Sequence, residues 1–179
     1  ARALGFVDVR PRTGIRRLPF KFLPAVRQCL DYALALDQNN FMQFASLRQR
    51  VEAAYWFEAV DKLNSDDKAR LVALIEHAWQ KLNGKPIQIP HDEHKQLHLT
   101  IFSRLENPFV SGILEAYWES YEAIGLNIFT DYDYLRTVWQ YHEVMVKSIC
   151  NGDYKSGHQA LIEHTDLLAD LINQWPAKK

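Results

Sequence analysis

Apolar side chains recur with the period of an α-helix through almost the whole chain after residue 22, and this periodicity constrains the fold more than any other feature. Short connections rich in Pro, Gly, Asn and Asp separate the periodic segments. The pattern predicts an all-α fold, an antiparallel bundle of about seven helices. The first three predicted helices run from about Leu23 to Leu36, from Phe41 to Leu63, and from an N-cap at Ser65 to a stop before Gly84. The fourth contains His94 and His98 and ends at about Leu105, and the fifth runs from Asn107 to Ile124. After a loop at Gly125–Thr130, the last two run from Asp131 to Cys150 and from Asp153 to about Trp175.

The first 20 residues follow a different pattern, that of a β-hairpin. Gly5–Arg10 alternates like a strand, Pro11–Gly14 carries turn residues, and Ile15–Leu18 can form a returning strand. An isolated two-stranded hairpin is marginally stable in water. We therefore expect residues 1–20 to be the remnant of a larger N-terminal domain plus a linker, and residues 21–179 to form the helical domain.

The hairpin region is also strongly basic. Residues 1–21 contain six arginine and lysine residues and a single aspartate, whereas the whole chain has a net charge of −1. Such a basic segment on an acidic body is suited to an anionic partner such as nucleic acid. A solvated surface hairpin explains the same charges equally well.

Cysteine usage and hydropathy bear on the cellular compartment. Cys29 and Cys150 have no spacing typical of a metal site, which predicts free thiols in a reducing compartment. No apolar run approaches the length of a membrane span. We expect a cytoplasmic protein without a membrane partner.

Two histidines near the middle of the chain lie four residues apart. His94 and His98 share one side of a helix, together with Ile101 and Leu105. A stripe of this kind faces a core and not the solvent. The glutamates and the other histidines lack this placement, so we expect solvated or supporting roles for Glu93, Glu143 and Glu163, and surface positions for His77, His91 and His158.

Two later helices repeat this arrangement of a histidine on an apolar stripe. His142 shares its stripe with Val138 and Met145, and His164 shares one with Leu161 and Leu168. Imidazoles from three helices that point at one core can bind one metal ion, and zinc and nickel favour imidazole. The alternative is that each histidine is a hydrogen-bonded core residue. The candidate metal ligands are His94, His98, His142 and His164.

Arg48 is predicted to lie on the inner face of the second helix, where a guanidinium must be paired. One interpretation is an intrahelical pair with Glu52, four residues on. The other is a buried arginine that binds a ligand carboxylate, which suits its planar geometry. The apolar residues predicted on the same inner face are Phe44, Leu47, Val51 and Tyr55.

Motifs for catalysis are missing from the sequence. It has no glycine-rich phosphate loop, no nucleophile elbow, no HExxH, and no glutamate three residues before any histidine. A histidine-bound metal with an open position could activate water, but no carboxylate is clearly placed as a general base. We do not expect an enzyme, and a small metal-dependent hydrolase is the alternative.

These motifs resemble those of a known family. His94-x-x-Leu97-His98, followed by Asn107-Pro108, resembles the Asp-x-x-Phe-His…Asn-Pro signature of the FCD domain. This is the effector-binding domain of FadR-type transcription regulators of the GntR family. Arg48-x-x-x-Glu52 resembles the family's Arg-x-x-x-Glu, and the later histidines lie where two further ligands are expected. The resemblance covers roughly residues 24–175, and residues 1–18 resemble the wing of a winged helix-turn-helix.

The resemblance implies a DNA-binding homodimer that responds to a small organic acid. In many FCD domains an aspartate and three histidines hold a divalent metal, and the acid binds beside it. Here His94 replaces the aspartate and Leu97 the phenylalanine, so all four ligands would be neutral. Two possibilities follow for the site: a metal site that attracts anions strongly, or a metal-free site in which the histidines hydrogen-bond the ligand directly. A purely structural dimerisation module is a separate alternative for the domain. The implied effector-binding residues are Arg48, Tyr55, Asn107 and Trp139, and the implied DNA-binding residues are Arg10, Arg12 and Arg16.

Overall fold

The computed structural model describes the backbone of residues 1–124 and 132–173, and the side chains of residues 1–121 and 132–167. In that part of the chain, two short strands precede seven α-helices, which confirms the predicted all-α class with an N-terminal hairpin. The strands are β1 (Val7–Arg10) and β2 (Gly14–Arg17). The helices are α1 (Leu23–Leu36), α2 (Asn40–Asp61), α3 (Ser65–Leu82), α4 (His91–Ile101), α5 (Pro108–Ile124), α6 (Tyr132–Asn151) and α7 (Tyr154–Asn173).

The hairpin is a two-stranded antiparallel sheet in which Val7 pairs with Arg17 and Arg10 with Gly14. Its turn requires two residues with positive φ, Arg12 at 68° and Gly14 at 84°. Glycine adopts this conformation without steric cost, whereas arginine does so less readily. The strand β2 is exposed along its length.

The chain divides into two compact units. Unit 1 contains residues 1–51 and the described part of 105–126, and unit 2 contains residues 52–104 and the described part of 127–179. Helix α2 contributes its first half to unit 1 and its second half to unit 2.

Unit 1 is built on the packing of α1 against α5. A Cβ atom at Gly112 would lie 2.8 Å from the backbone nitrogen of Leu23 and 2.9 Å from Cβ of Phe22. This approach requires a glycine, because real Cβ contacts do not become so short. The ring of Phe109 packs against Phe22 with 5.0 Å between centroids, and Arg27 pairs with Glu119 at 2.9 Å.

Unit 2 contains the antiparallel pair α6 and α7, with α3 packed on α4 and α6. The second half of α2 contributes Trp56, which is completely buried and donates its indole N–H to the carbonyl oxygen of Tyr154 at 2.9 Å. Leu71, Leu97 and Met145 lie in the same core with no exposed surface.

The inner face of α2 is predicted wrongly for its apolar residues, although Arg48 is buried as predicted. Leu47 is 45% exposed, and Phe44, Val51 and Tyr55 are only half-buried. The face that is buried is rotated by about one residue and carries two charged side chains, so hydrophobic periodicity alone misplaces it. Its buried residues are Phe41, Ala45, Arg48, Glu52, Trp56, Ala59 and Val60.

Several predicted helix ends also differ from the structure. Asn64, and not Ser65, caps α3: its side chain accepts the N–H of Asp67, and the carboxylate of Asp67 accepts the N–H of Asn64. Helix α4 ends at Ile101 instead of Leu105, and α2 ends two residues before the predicted Leu63. The predicted loop at 125–130 and the end near residue 175 lie outside the described residues.

Two observations concern the predicted compartment. The cysteines, Cys29 and Cys150, are free and exposed, as expected for unpaired thiols. Among the described helices, none combines the length and the apolar character that crossing a bilayer requires.

Candidate metal centre

Four histidines converge in unit 2. His94 and His98 come from α4, His142 from α6 and His164 from α7. One imidazole nitrogen from each residue lies within 4.8 Å of the corresponding nitrogens of the other three. The structure thus brings together the four histidine side chains that the sequence pattern predicted as candidate ligands.

The donor set fits a transition-metal ion such as zinc or nickel. In a tetrahedral site, ligand nitrogens about 2.1 Å from the ion are about 3.4 Å apart. The nitrogens of the cluster lie within 4.8 Å of one another, so their separations would have to shorten by up to about 1.4 Å to form a common ligand sphere. His98, His142 and His164 are buried, and His94 is half-buried.

The rings of this histidine cluster (His94, His98, His142 and His164) are in mutual contact. The centroid of His142 lies 4.3 Å from that of His164 and 4.6 Å from that of His94. Nε2 of His98 lies 3.1 Å from Nε2 of His142. Trp139, an expected effector-binding residue, is buried with its ring 4.8 Å from His142 and 6.1 Å from His94.

The turn between α6 and α7 brings His142 and His164 to the same level. Gly152 has φ +74° at this turn, and the carboxylate of Asp153 accepts the backbone N–H of Ser156 at 3.2 Å. Hydrogen bonds from the side chain and backbone of Ser156 lower the pKa of Asp153. His142 lies ten residues before Gly152 and His164 twelve residues after it. At about 1.5 Å of rise per residue, both imidazoles are at similar heights along the antiparallel pair.

Helix α4 is held in place at its N-terminal end. Glu93 lies in the first turn, where a negative charge is favourable, and pairs with Lys81 of α3 at 2.7 Å. From the sequence, Glu93 was expected to be either solvated or hydrogen-bonded to the ligands in a supporting role. The structure instead buries it in an ion pair that joins two helices.

Glu52 is the residue of this site that the sequence analysis did not recognise. Its Oε1 lies 3.2 Å from Nδ1 of His98, and both side chains are completely buried. In the sequence, Glu52 was a candidate partner for Arg48 and part of the Arg-x-x-x-Glu motif, with no role at the metal. The available signal was its position on the stripe that continues from Ala45 and Arg48 to Trp56.

Arg48 lies in unit 1 and is 3% exposed, in agreement with its predicted inner position. Its guanidinium stands 4.6 Å from the ring centroid of Tyr117 and 5.3 Å from that of Trp118. Both rings are suited to a cation–π contact with a desolvated arginine. Its assignment to an effector carboxylate stays a prediction.

The other predicted site residues lie in varied surroundings. The side-chain oxygen of Asn107 accepts the N–H groups of Phe109 and Val110 at 3.1 and 3.3 Å, which caps the start of α5. Tyr55 is half-buried. The proposed DNA-binding residues Arg10, Arg12 and Arg16 are exposed on the hairpin, and Arg10 pairs with Asp8 at 2.7 Å.

The remaining histidines lie outside the cluster. His77 is exposed, as predicted. His91 and His158 are half-buried, so each is less exposed than a fully solvated side chain. His158 donates its Nε2–H to the carbonyl oxygen of Ala53 at 3.0 Å, a structural contact between α7 and α2.

Seven helices with a buried histidine cluster are typical of a helical domain that binds a ligand in its interior. The FCD domain family matches residues 43–167, more than half of the chain, and this protein belongs to that family. FCD domains are the effector-binding domains of GntR-family transcription regulators, which are regulatory proteins and generally not enzymes. Comparisons with curated proteins and with solved structures gave no match.

Proposed function

We propose that this chain is the effector-binding part of a metal-containing transcription regulator of the FadR subgroup. His94, His98, His142 and His164 hold one divalent ion, with zinc or nickel as the expected metal. The observation that supports this most directly is the convergence of four imidazole nitrogens from three helices within 4.8 Å. A single inward histidine has many structural explanations, whereas four around one point match a ligand sphere.

Charge determines what such a centre attracts. Four neutral imidazoles leave the full charge of a divalent ion uncompensated by its own ligands. An anionic ligand is therefore favoured, and a small carboxylate metabolite meets this requirement. Arg48 is our candidate for binding a carboxylate of the effector, with Tyr55, Asn107 and Trp139 as further effector-binding residues.

The N-terminal hairpin fits a DNA-binding role in the same regulator. We propose that residues 1–20 are the remnant of a wing plus a linker, that 21–179 form the effector-binding domain, and that Arg10, Arg12 and Arg16 contact DNA phosphates. The regulator acts as a homodimer whose geometry responds to the effector. The effector shifts this equilibrium only by its difference in affinity for the two dimer states.

The test begins with metal analysis of tag-free protein purified without chelator, followed by thermal unfolding with and without zinc. We expect about one metal ion per chain, and a melting temperature that rises with zinc because only the folded protein has the site. His142→Ala should lose both effects and keep the oligomeric state of the wild type. His77→Ala is the matched control, because His77 is an exposed histidine of the same unit.

Effector binding is tested on the zinc-loaded protein. Small mono- and dicarboxylic acids should raise its melting temperature further, and they should not do so in His142→Ala. Wild-type protein that binds neither zinc nor nickel would overturn the metal centre. Turnover of an ester or amide by the zinc-loaded protein would favour a hydrolase instead.

A further inference from the structure

A buried carboxylate contacts the histidine cluster from α2. Oε1 of Glu52 lies 3.2 Å from Nδ1 of His98, and neither side chain has exposed surface. The other ring nitrogen of His98 faces the cluster, 3.1 Å from Nε2 of His142. His98 therefore has one nitrogen directed at a carboxylate and the other at the candidate ligand sphere.

These two contacts favour one tautomer of His98. An ionised carboxylate only accepts hydrogen bonds, so with Glu52 ionised a neutral His98 carries its proton on Nδ1 and presents a lone pair at Nε2. In that tautomer, Nε2–H of His142 is the donor of the 3.1 Å contact. The same tautomer of His98 is the one that can bind a metal through Nε2.

The other glutamates close to the histidines in sequence have different partners. Glu93 pairs with Lys81 at 2.7 Å, and Glu143 pairs with Lys147 at 2.6 Å. Glu163 is exposed and accepts a hydrogen bond from Gln159. Glu52, by contrast, contacts an imidazole of the cluster, that of His98.

From this geometry we infer that Glu52 is a positioning residue of the metal centre, an inference that rests on the proposed function. Glu52 orients His98 with Nε2 towards the ion. It also supplies a negative charge next to a ligand set that is otherwise neutral. Carboxylates that hydrogen-bond a metal-bound histidine in this way raise its basicity and increase metal affinity.

The test compares zinc dissociation constants, measured by competition with a chromophoric chelator. Glu52→Gln keeps the shape of the side chain and removes its charge, and we expect zinc binding to weaken by about 10- to 100-fold. Glu58→Gln is the matched control, because Glu58 is an exposed residue of the same helix. The control should bind zinc within about twofold of the wild type, which is ordinary scatter for a surface change.

A second variant separates the charge of Glu52 from a purely structural role. His94→Asp in the Glu52→Gln background introduces a carboxylate among the ligands themselves. If the missing charge weakens zinc binding, this double variant should recover most of the lost affinity. If Glu52 only supports the local fold, affinity should stay low, and that result would overturn the inference.

The tautomer can be measured on the wild-type protein without any variant. Long-range ¹H–¹⁵N correlation spectra of the zinc-free and zinc-loaded protein should show His98 protonated at Nδ1 in both. A proton on Nε2 of His98 would overturn the inference. Because this measurement uses the wild-type protein, it tests the inference even where Glu52→Gln fails to fold. Wild-type protein without zinc affinity refutes the proposed function itself. Equal affinity in wild type and Glu52→Gln refutes the inference alone.

Discussion

The contact between Gly157 and Trp56 gives a quantitative test of how unit 2 is packed. A Cβ atom at Gly157 would lie 2.7 Å from Cζ2 of Trp56 and 3.2 Å from Cβ of Ser148. Carbon atoms in contact prefer at least about 3.5 Å, so Gly157→Ala must displace the indole by roughly 0.8 Å. The indole cannot move freely, because it is completely buried and its N–H is bound to the carbonyl of Tyr154.

The expected magnitude follows from opposing terms. Replacing a helical glycine by alanine contributes up to about 1 kcal/mol of stability through helix propensity. Overpacking a buried site costs about 1–3 kcal/mol, and weakening the indole hydrogen bond costs about 1 kcal/mol. We therefore expect Gly157→Ala to lower the free energy of unfolding by about 1–3 kcal/mol. For a chain of this length, the melting temperature should fall by about 2–12 °C.

A double-mutant cycle with urea unfolding tests the cause. Trp56→Phe removes the atom that collides, at the expense of a cavity of its own. In that background Gly157→Ala should be neutral or stabilising by up to about 1 kcal/mol, the helix-propensity gain. An equal loss in both backgrounds would show that the indole is not responsible, and a stabilising Gly157→Ala in the wild type would refute the packing argument directly.

Two further predictions concern charged side chains. Arg104 and the backbone N–H of Asn64 lower the pKa of Asp67 in the folded protein. The ionised carboxylate therefore stabilises the fold above the unfolded-state pKa of about 3.9. This stability is lost as the pH falls through the lower pKa of the folded state. Asp67→Asn should thus lower the melting temperature at pH 7, and the difference from wild type should shrink as the pH falls through the lowered pKa of Asp67. Arg48→Lys should reduce stability by about 1 kcal/mol in urea unfolding, because lysine lacks the planar face that Arg48 presents to Tyr117, and unchanged stability would argue against that contact.

The sequence predicted the elements well where local rules determine them. The bounds of α1 were predicted to the residue, because Pro24 can occupy only the first turn and the apolar period ends at Leu36. The end of α4 was predicted four residues too late. Leu105 continues the apolar stripe and is buried, but it lies outside the helix. Burial and helicity are therefore separate properties, and hydrophobic periodicity reports mainly the first.

The histidine cluster was predictable for a different reason. Each histidine lies on the apolar face of its own helix, and hydrophobic periodicity identifies that face from the sequence of one helix at a time. The contact of Glu52 with His98 joins residues 46 positions apart, so no local pattern contains it. Hydrophobic periodicity also pointed to the wrong face of α2. The stripe through Leu47 and Val51 is apolar, whereas the stripe that is buried carries Arg48 and Glu52.

The charged stripe of α2 also bears on how the centre would respond to metal. Glu52 occupies a fully buried position where an apolar side chain would pack without the cost of desolvating a carboxylate. The contact with His98 offsets part of that cost, and His98 in turn contacts His142. Unit 2 also has an apolar core of its own, with Trp56 and Leu97 completely buried. The imidazoles are thus positioned by side-chain contacts and apolar packing together, unlike those of small zinc domains that fold only around their metal. Metal binding to such a preformed centre should raise the melting temperature without increasing helical content.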